Sequence, residues 1–303
     1  MLGGCATAPE LPPTARKSLE LTGVPFFPQT EYQCGPAALA TLLANAGAPV
    51  TPDQLVPEVY VEGLRGSLQA ELLADTRRHG LIPYVLAPNA EALLAEIGAG
   101  RPVLVLQNLG LPRVPVWHYA VAIGYDAERD TMVLRSGTER RRLEKSRRFL
   151  RSWQRGADWA FVAVQPGSLP ATAAPDAYVR AVADAERLLP PPSAHAAFAA
   201  ALERWPREEL VLFAAANHEL RARATPGAIA LYRKLLEIDP RHAAARNNLA
   251  NALADQGCYP QALAEARAAR AASTAGDPLA ASIDDTIATL ERTAATAPAA
   301  TCL

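Results

Sequence analysis

Apolar residues follow two different rhythms along this chain. Up to about residue 167, short runs at helical spacing are mixed with short runs of strand character; beyond it only helical spacing remains. The stretch CGPAALATLLANA predicts a helix over 34–46, with Leu39, Leu42 and Leu43 on one side. SLQAELLADTRRHG predicts a second helix over 67–80, closed by Gly80, and NAEALLAEIGAG a third, ending in glycines. LIPYVLA reads as a short strand, and RPVLVLQNLG, with its unbroken apolar run, as a buried one. In WHYAVAIGYDAERDTMVLRSG, Tyr119, Val121 and Ile123 alternate with Ala120, Ala122 and Gly124, then a polar turn leads to Thr131–Leu134, the pattern of a β-hairpin. DWAFVAVQPG adds one more strand. Helices followed by an antiparallel sheet give an α+β domain over residues 21–167.

Residues 168–174, in the stretch SLPATAAP, read as a linker, and an alanine-rich region follows with a 34-residue period. Ala194, Ala228 and Ala262 keep that spacing, as do Phe198, Tyr232 and Ala266, and Ala201, Leu235 and Ala269; Pro206 and Pro240 also lie one period apart. A small residue, an aromatic four positions on and a helix-ending proline resemble the tetratricopeptide repeat. The resemblance implies an all-α solenoid over 175–296: copies at 175–208, 209–242 and 243–276, a capping helix over 277–296, and a disordered tail over 297–303. Each copy would be a helix pair that buries its apolar face only by stacking on the next.

Composition narrows the function classes. The 303 residues are half hydrophobic and one fifth charged, with a net charge of −1, so neither nucleic acid nor an anionic membrane surface is an expected partner. The four cysteines show no CxxC or Cys/His metal spacing, and a disulfide framework is not expected in a chain with this much apolar core. No phosphate-binding glycine motif and no 18-residue apolar run occur, so no cofactor site and no transmembrane helix are expected. Residues 1–20 read as a Pro-rich tether. Within them Leu2-Gly3-Gly4-Cys5 resembles a bacterial lipobox, which implies lipidation at Cys5 and an exported protein held on a membrane by lipid alone; without such a signal the chain would be cytoplasmic.

Cys34 is the residue around which chemistry can be built. Gly35-Pro36 opens the helix behind it, and a helix N-terminus favours an anion, so Cys34 sits where a thiolate gains stability. A cysteine nucleophile also needs a base. Of the five histidines, His79 ends a helix and His195, His218 and His242 lie in the repeat region; His118 opens a strand, with its ring direction set by the alternation that follows. Gln29, five residues before Cys34 in an extended segment, offers a side-chain amide for an oxyanion hole. The basic run 135–148 reads as a solvated face.

VPFFPQTEYQCGPAALATLL followed much later by WHYAVAIGYD resembles the double-glycine leader peptidases, the bacteriocin-processing branch of the papain-like cysteine peptidases. The resemblance covers roughly residues 21–165. It implies Cys34 as nucleophile, His118 as base and Gln29 as oxyanion-hole donor, acting on a peptide or protein substrate. The family's aspartate should fall near VLRSG, where this chain has Ser136-Gly137. With a turn centred near Glu128, residue 120 faces 136, and Ser136 shares a face with His118 as a neutral orienter. Thr138, Glu139 and a backbone carbonyl are alternatives, while Asp126 and Asp130 read as turn residues. Two function classes follow. One is a cysteine peptidase with a repeat domain for protein partners, and the other a non-catalytic scaffold whose repeats do the work.

Overall fold

The computed structural model describes residues 11–12, 17–29, 33–274 and 276–295. The expected lipidation site Cys5 and the tail at 297–303 lie outside them. The chain divides into two compact units, 1–190 and 191–303.

The first unit is built around one helix against one sheet. The helix α1 (Cys34–Asn45) buries every residue from Gly35 to Leu43, so it is enclosed on all sides rather than amphipathic. It is followed by α2 (Pro52–Val59), a single 3-10 turn (Glu62–Leu64), α3 (Gln69–Arg78) and α4 (Ala90–Gly98). The strands are β1 (Leu19–Glu20), β2 (Ile82–Val85), β3 (Val103–Asn108), β4 (Trp117–Asp126), β5 (Thr131–Ser136), β6 (Glu139–Lys145) and β7 (Ala160–Val164), with α5 (Ser146–Gln154) before the last. They form a single antiparallel sheet in the order β2-β7-β3-β4-β5-β6, with β1 paired to the far end of β4. Leu39, Leu42 and Leu43 of α1 share a core with Leu104, Tyr119, Val121, Ile123, Val133 and Phe161 of the sheet.

Three elements depart from the sequence reading. Leu19–Glu20, expected within the tether, pair with Tyr125 and Gly124. Gly124 permits this approach, because a Cβ there would stand 2.3 Å from the Leu19 carbonyl oxygen. The basic run 135–148, expected as a solvated face, is indeed largely exposed along β6, but it also supplies the end of β5, all of β6 and the start of α5, which were not read as elements. Charged side chains hide the periodicity of β6, and they suit an edge strand by discouraging further pairing. The last departure is the linker. Thr172 donates from its backbone N–H and its hydroxyl to Glu96 Oε1, each at 2.8 Å, and Tyr84 Oη bonds the carbonyl of Thr172 and the N–H of Ala174. Residues 172–174 are thereby fastened to the first unit, and α6 (Pro175–Ala185), expected to open the repeats, packs on β2 within it.

The second unit is α7 (Pro191–Arg204), α8 (Glu209–Arg221), α9 (Thr225–Ile238), α10 (Ala243–Asp255), α11 (Tyr259–Ala272) and α12 (Ala280–Ala294), each packed on its neighbour in sequence. All nine residues of the three 34-residue series, from Ala194 to Ala269, are at most 3 % exposed. The period thus marks the buried seam of a stacked helical array.

Candidate active site

Cys34 is the first residue of α1. The helix has no side-chain cap and no acidic residue in its first turn, which leaves its leading N–H groups and positive end unopposed. The backbone N–H groups of Tyr119, Gly35 and Cys34 face the sulfur and lower the thiol pKa, but burial outweighs them and pushes it up from its ordinary value. Cys34 is the free cysteine among the described residues, and Cys258 is disulfide-bonded.

Gly35 is required by close packing. A Cβ there would fall 2.2 Å from Ser67 Oγ and 2.5 Å from Ser67 Cβ. The Ser67 segment thus lies against the start of α1, held there by Tyr119 Oη, which donates to the Ser67 carbonyl at 3.1 Å.

His118 is the second residue of β4, opposite Gln107 of β3. Its Nε2 lies 2.8 Å from Ser136 Oγ at the end of β5. The hairpin reaches this pairing through a bulge. Near the turn Gly124 faces Val133, whereas past the irregularity Ala122 faces Leu134 and Val121 faces Arg135. The shift brings 136 alongside the start of β4. Burial, with the Arg142 guanidinium nearby, lowers the His118 pKa to about 4. Arg142 itself is paired with Glu139 at 3.2 Å.

Gln29 donates its backbone N–H to the Gly137 carbonyl at 3.2 Å, which sets the extended segment beside the end of β5. Gln29, Cys34 and His118 all line one cleft of about 840 Å³. Of the residues singled out in the sequence, these three meet there and Ser136 joins them through His118. Thr138 and Glu139 belong to the β5–β6 turn and edge strand. Asp126 caps the β4–β5 turn, accepting from the Arg129 N–H at 3.0 Å. His79 faces Asp75 on its own helix.

The cleft walls were not read from the sequence. One is the 64–69 segment, with Leu64 and Leu68 exposed; the other is the end of the β3–β4 connection with the first residue of β4, where Val116 and Trp117 are more than half exposed. A signal was present in LGLPRVPVW, an apolar, proline-rich stretch between two strands that a merely solvated loop would not need.

Comparison with known proteins assigns the architecture. Residues 21–158 match the sequence model of the Peptidase_C39 like family, and residues 231–264 that of a tetratricopeptide repeat. The chain thus joins a Peptidase_C39-like domain to a tetratricopeptide-repeat region. A C39-like peptidase from Bacillus anthracis is 19% identical and aligns over 49% of this chain and 98% of its own, with a TM-score of 0.42. The peptidase domain of Streptococcus ComA, a bi-functional ABC transporter, is 16% identical over 46% of this chain and 98% of its own, with a TM-score of 0.39. The TPR2B domain of yeast Sti1 is 22% identical over 39% of this chain and 94% of its own, with a TM-score of 0.35. No curated protein matches the chain.

Proposed function

We propose that the C39-like domain is a cysteine peptidase in which Cys34 is the nucleophile, His118 the general base, Gln29 an oxyanion-hole donor and Ser136 the group that orients the imidazole. The observation that carries this reading is the convergence of Cys34, His118 and Gln29 on one cleft. When the ring donates from Nε2 to the Ser136 hydroxyl, Nδ1 is left as the proton acceptor. Sulfur attacks the scissile carbonyl as its proton passes to Nδ1, and the oxyanion is met by the Gln29 amide and the Cys34 N–H. His118 then protonates the leaving amine, and water hydrolyses the thioester. Thiol and imidazole are both neutral at rest, because burial shifts the two pKa values in opposite directions, so ionisation accompanies attack. The repeats supply a surface for a protein partner.

The test is digestion of a peptide library read by mass spectrometry for new termini. New termini made by the wild type and absent with Cys34→Ala and His118→Ala support the reading. The same output from all three chains overturns it.

The second reading, a non-catalytic scaffold, is favoured by the serine where the resemblance calls for a carboxylate and by the raised pKa of Cys34. It predicts partner capture unchanged in Cys34→Ala and lost when the repeat seam is disrupted.

The lipobox-like Leu2–Cys5 carries a separate proposal, that Cys5 is lipidated and the chain sits on the exported side of a membrane. Metabolic labelling with palmitate that persists in Cys5→Ser rejects it. Among the described residues no helix is long and apolar enough to cross a membrane.

A further inference from the structure

The first helix pair of the second unit gathers three metal-ligating side chains that the peptidase reading does not use. His195 lies in the second turn of α7, and His218 and Glu219 lie together near the end of α8. One ligand atom from each falls within 4.8 Å of both others. His195 Nδ1 stands 2.9 Å from Glu219 Oε1, and the two imidazole centroids are 6.2 Å apart.

The surroundings hold two of the three in place. His218 is buried, and Phe198 lies across its ring with centroids 4.9 Å apart and planes 31° apart. Phe198 is one turn beyond His195 on α7, so the same helix supplies a ligand and the plate that steadies another. Glu219 is also largely enclosed, its side chain 16% exposed. Its carboxylate backs onto Gly227 of α9, where a Cβ would come within 3.1 Å of Oε2, so the next helix leaves room for it. His195, 64% exposed, is the ligand free to adjust.

We propose that His195, His218 and Glu219 bind a divalent transition-metal ion, with Zn²⁺ as the leading candidate. Two imidazoles and a carboxylate suit borderline ions, whereas Ca²⁺ and Mg²⁺ take oxygen donors. Zinc bonds to nitrogen and oxygen of about 2.0–2.2 Å in a tetrahedron set donor atoms roughly 3.4 Å apart. The present spacings, 2.9 Å between His195 and Glu219 and at most 4.8 Å within the set, bracket that value, and the exposed His195 side chain is the one with room to adjust. Three protein ligands leave a fourth position, which the exposure of His195 turns toward solvent or a donor from a bound protein. The ion would tie α7 to α8 at the start of the repeat array. In sequence the signal is faint, because a lone histidine and a His-Glu pair 23 residues later match no metal motif. Folding of the helix pair is what joins them.

The test uses the full chain carrying Cys34→Ser, so that the Cys34 thiol does not compete, stripped with a chelator and titrated with zinc chloride by calorimetry. The expected result is one ion per chain at micromolar affinity or tighter, with a rise in Tm on adding zinc. His195→Ala, at an exposed position that leaves the fold intact, should weaken binding by at least about tenfold and remove the Tm rise, and Glu219→Gln should do likewise. A parent chain with no heat and no Tm shift overturns the proposal. So does a His195→Ala chain whose affinity falls by less than that.

Discussion

The hydroxyl of Ser136 stands 2.8 Å from Nε2 of His118, so a neutral group occupies the place beside the imidazole where the sequence resemblance calls for a carboxylate. A hydroxyl fixes the direction of the ring but does little to stabilise its charged form. Ser136→Asp should therefore raise the His118 pKa from about 4, by roughly 1–3 units if the carboxylate is held within hydrogen-bonding distance. Ser136→Ala should leave the pKa low while freeing the ring. Proton titration of the His118 ring by nuclear magnetic resonance distinguishes the two, and an unchanged value in Ser136→Asp contradicts the argument.

Alkylation of Cys34 follows from the same electrostatics. Its pKa is raised, chiefly by burial, so the iodoacetamide rate should climb steadily with pH through 9 without a plateau near neutrality. His118→Ala should change the rate at pH 7 by no more than about threefold, since no resting ion pair is lost. A fast plateau below pH 7 would instead mean a thiolate–imidazolium pair. Cys258, being disulfide-bonded, should contribute no background.

His118 also imposes a pH dependence on stability. Its folded pKa lies near 4 and its ordinary value is 6.5, so between these pH values the unfolded chain binds more protons than the folded one. Stability from this group is full above pH 6.5 and is lost as pH falls toward 4. The shift corresponds to about 3 kcal/mol as an upper bound. Urea unfolding from pH 4 to 7 should show the slope in the wild type and a flatter one in His118→Gln.

Gly35→Ala tests the packing at the head of α1. The new methyl would overlap Ser67, costing roughly 1–3 kcal/mol and displacing Cys34. Ser67→Gly should recover most of that loss when combined with it, a coupling readable in a double-mutant cycle. Additive effects would mean that the contact is unimportant.

Overpacking the repeat seam gives a separate check. Ala228 is fully buried at a position that recurs every 34 residues, so Ala228→Leu should destabilise the chain by about 1–3 kcal/mol in thermal unfolding. A neutral outcome would mean slack between the stacked helices.

How far the sequence carried this picture varies with the physics of each part. The helix at Cys34 and the apolar strands were legible because their patterns belong to the residues themselves. The repeat was legible because its seam recurs at a fixed interval, and all nine marked positions are buried. α2 escaped although Thr51 and Gln54 form a capping box at its start, because only Leu55 and Val59 are buried along it and no long periodicity results. β6 escaped because an edge strand can be almost wholly charged. The fastening of 172–174 could not be read at all, since Glu96 and Tyr84 become its partners only through the fold. In the cleft, Cys34, His118 and Gln29 stood out by residue type and setting, whereas the walls at 64–69 and 115–117 are assembled from segments far apart in sequence.

The bulge between Ala122 and Gly124 makes the hairpin a counting device. Side chains on a strand alternate sides, so adding or removing one residue there would turn Ser136 away from His118 while leaving both in the sequence. An inventory of the residues in such a variant would look complete. The length of the chain between His118 and Ser136 is thus as much a determinant of the site as either side chain, and relatives of this domain are better compared by that interval than by composition.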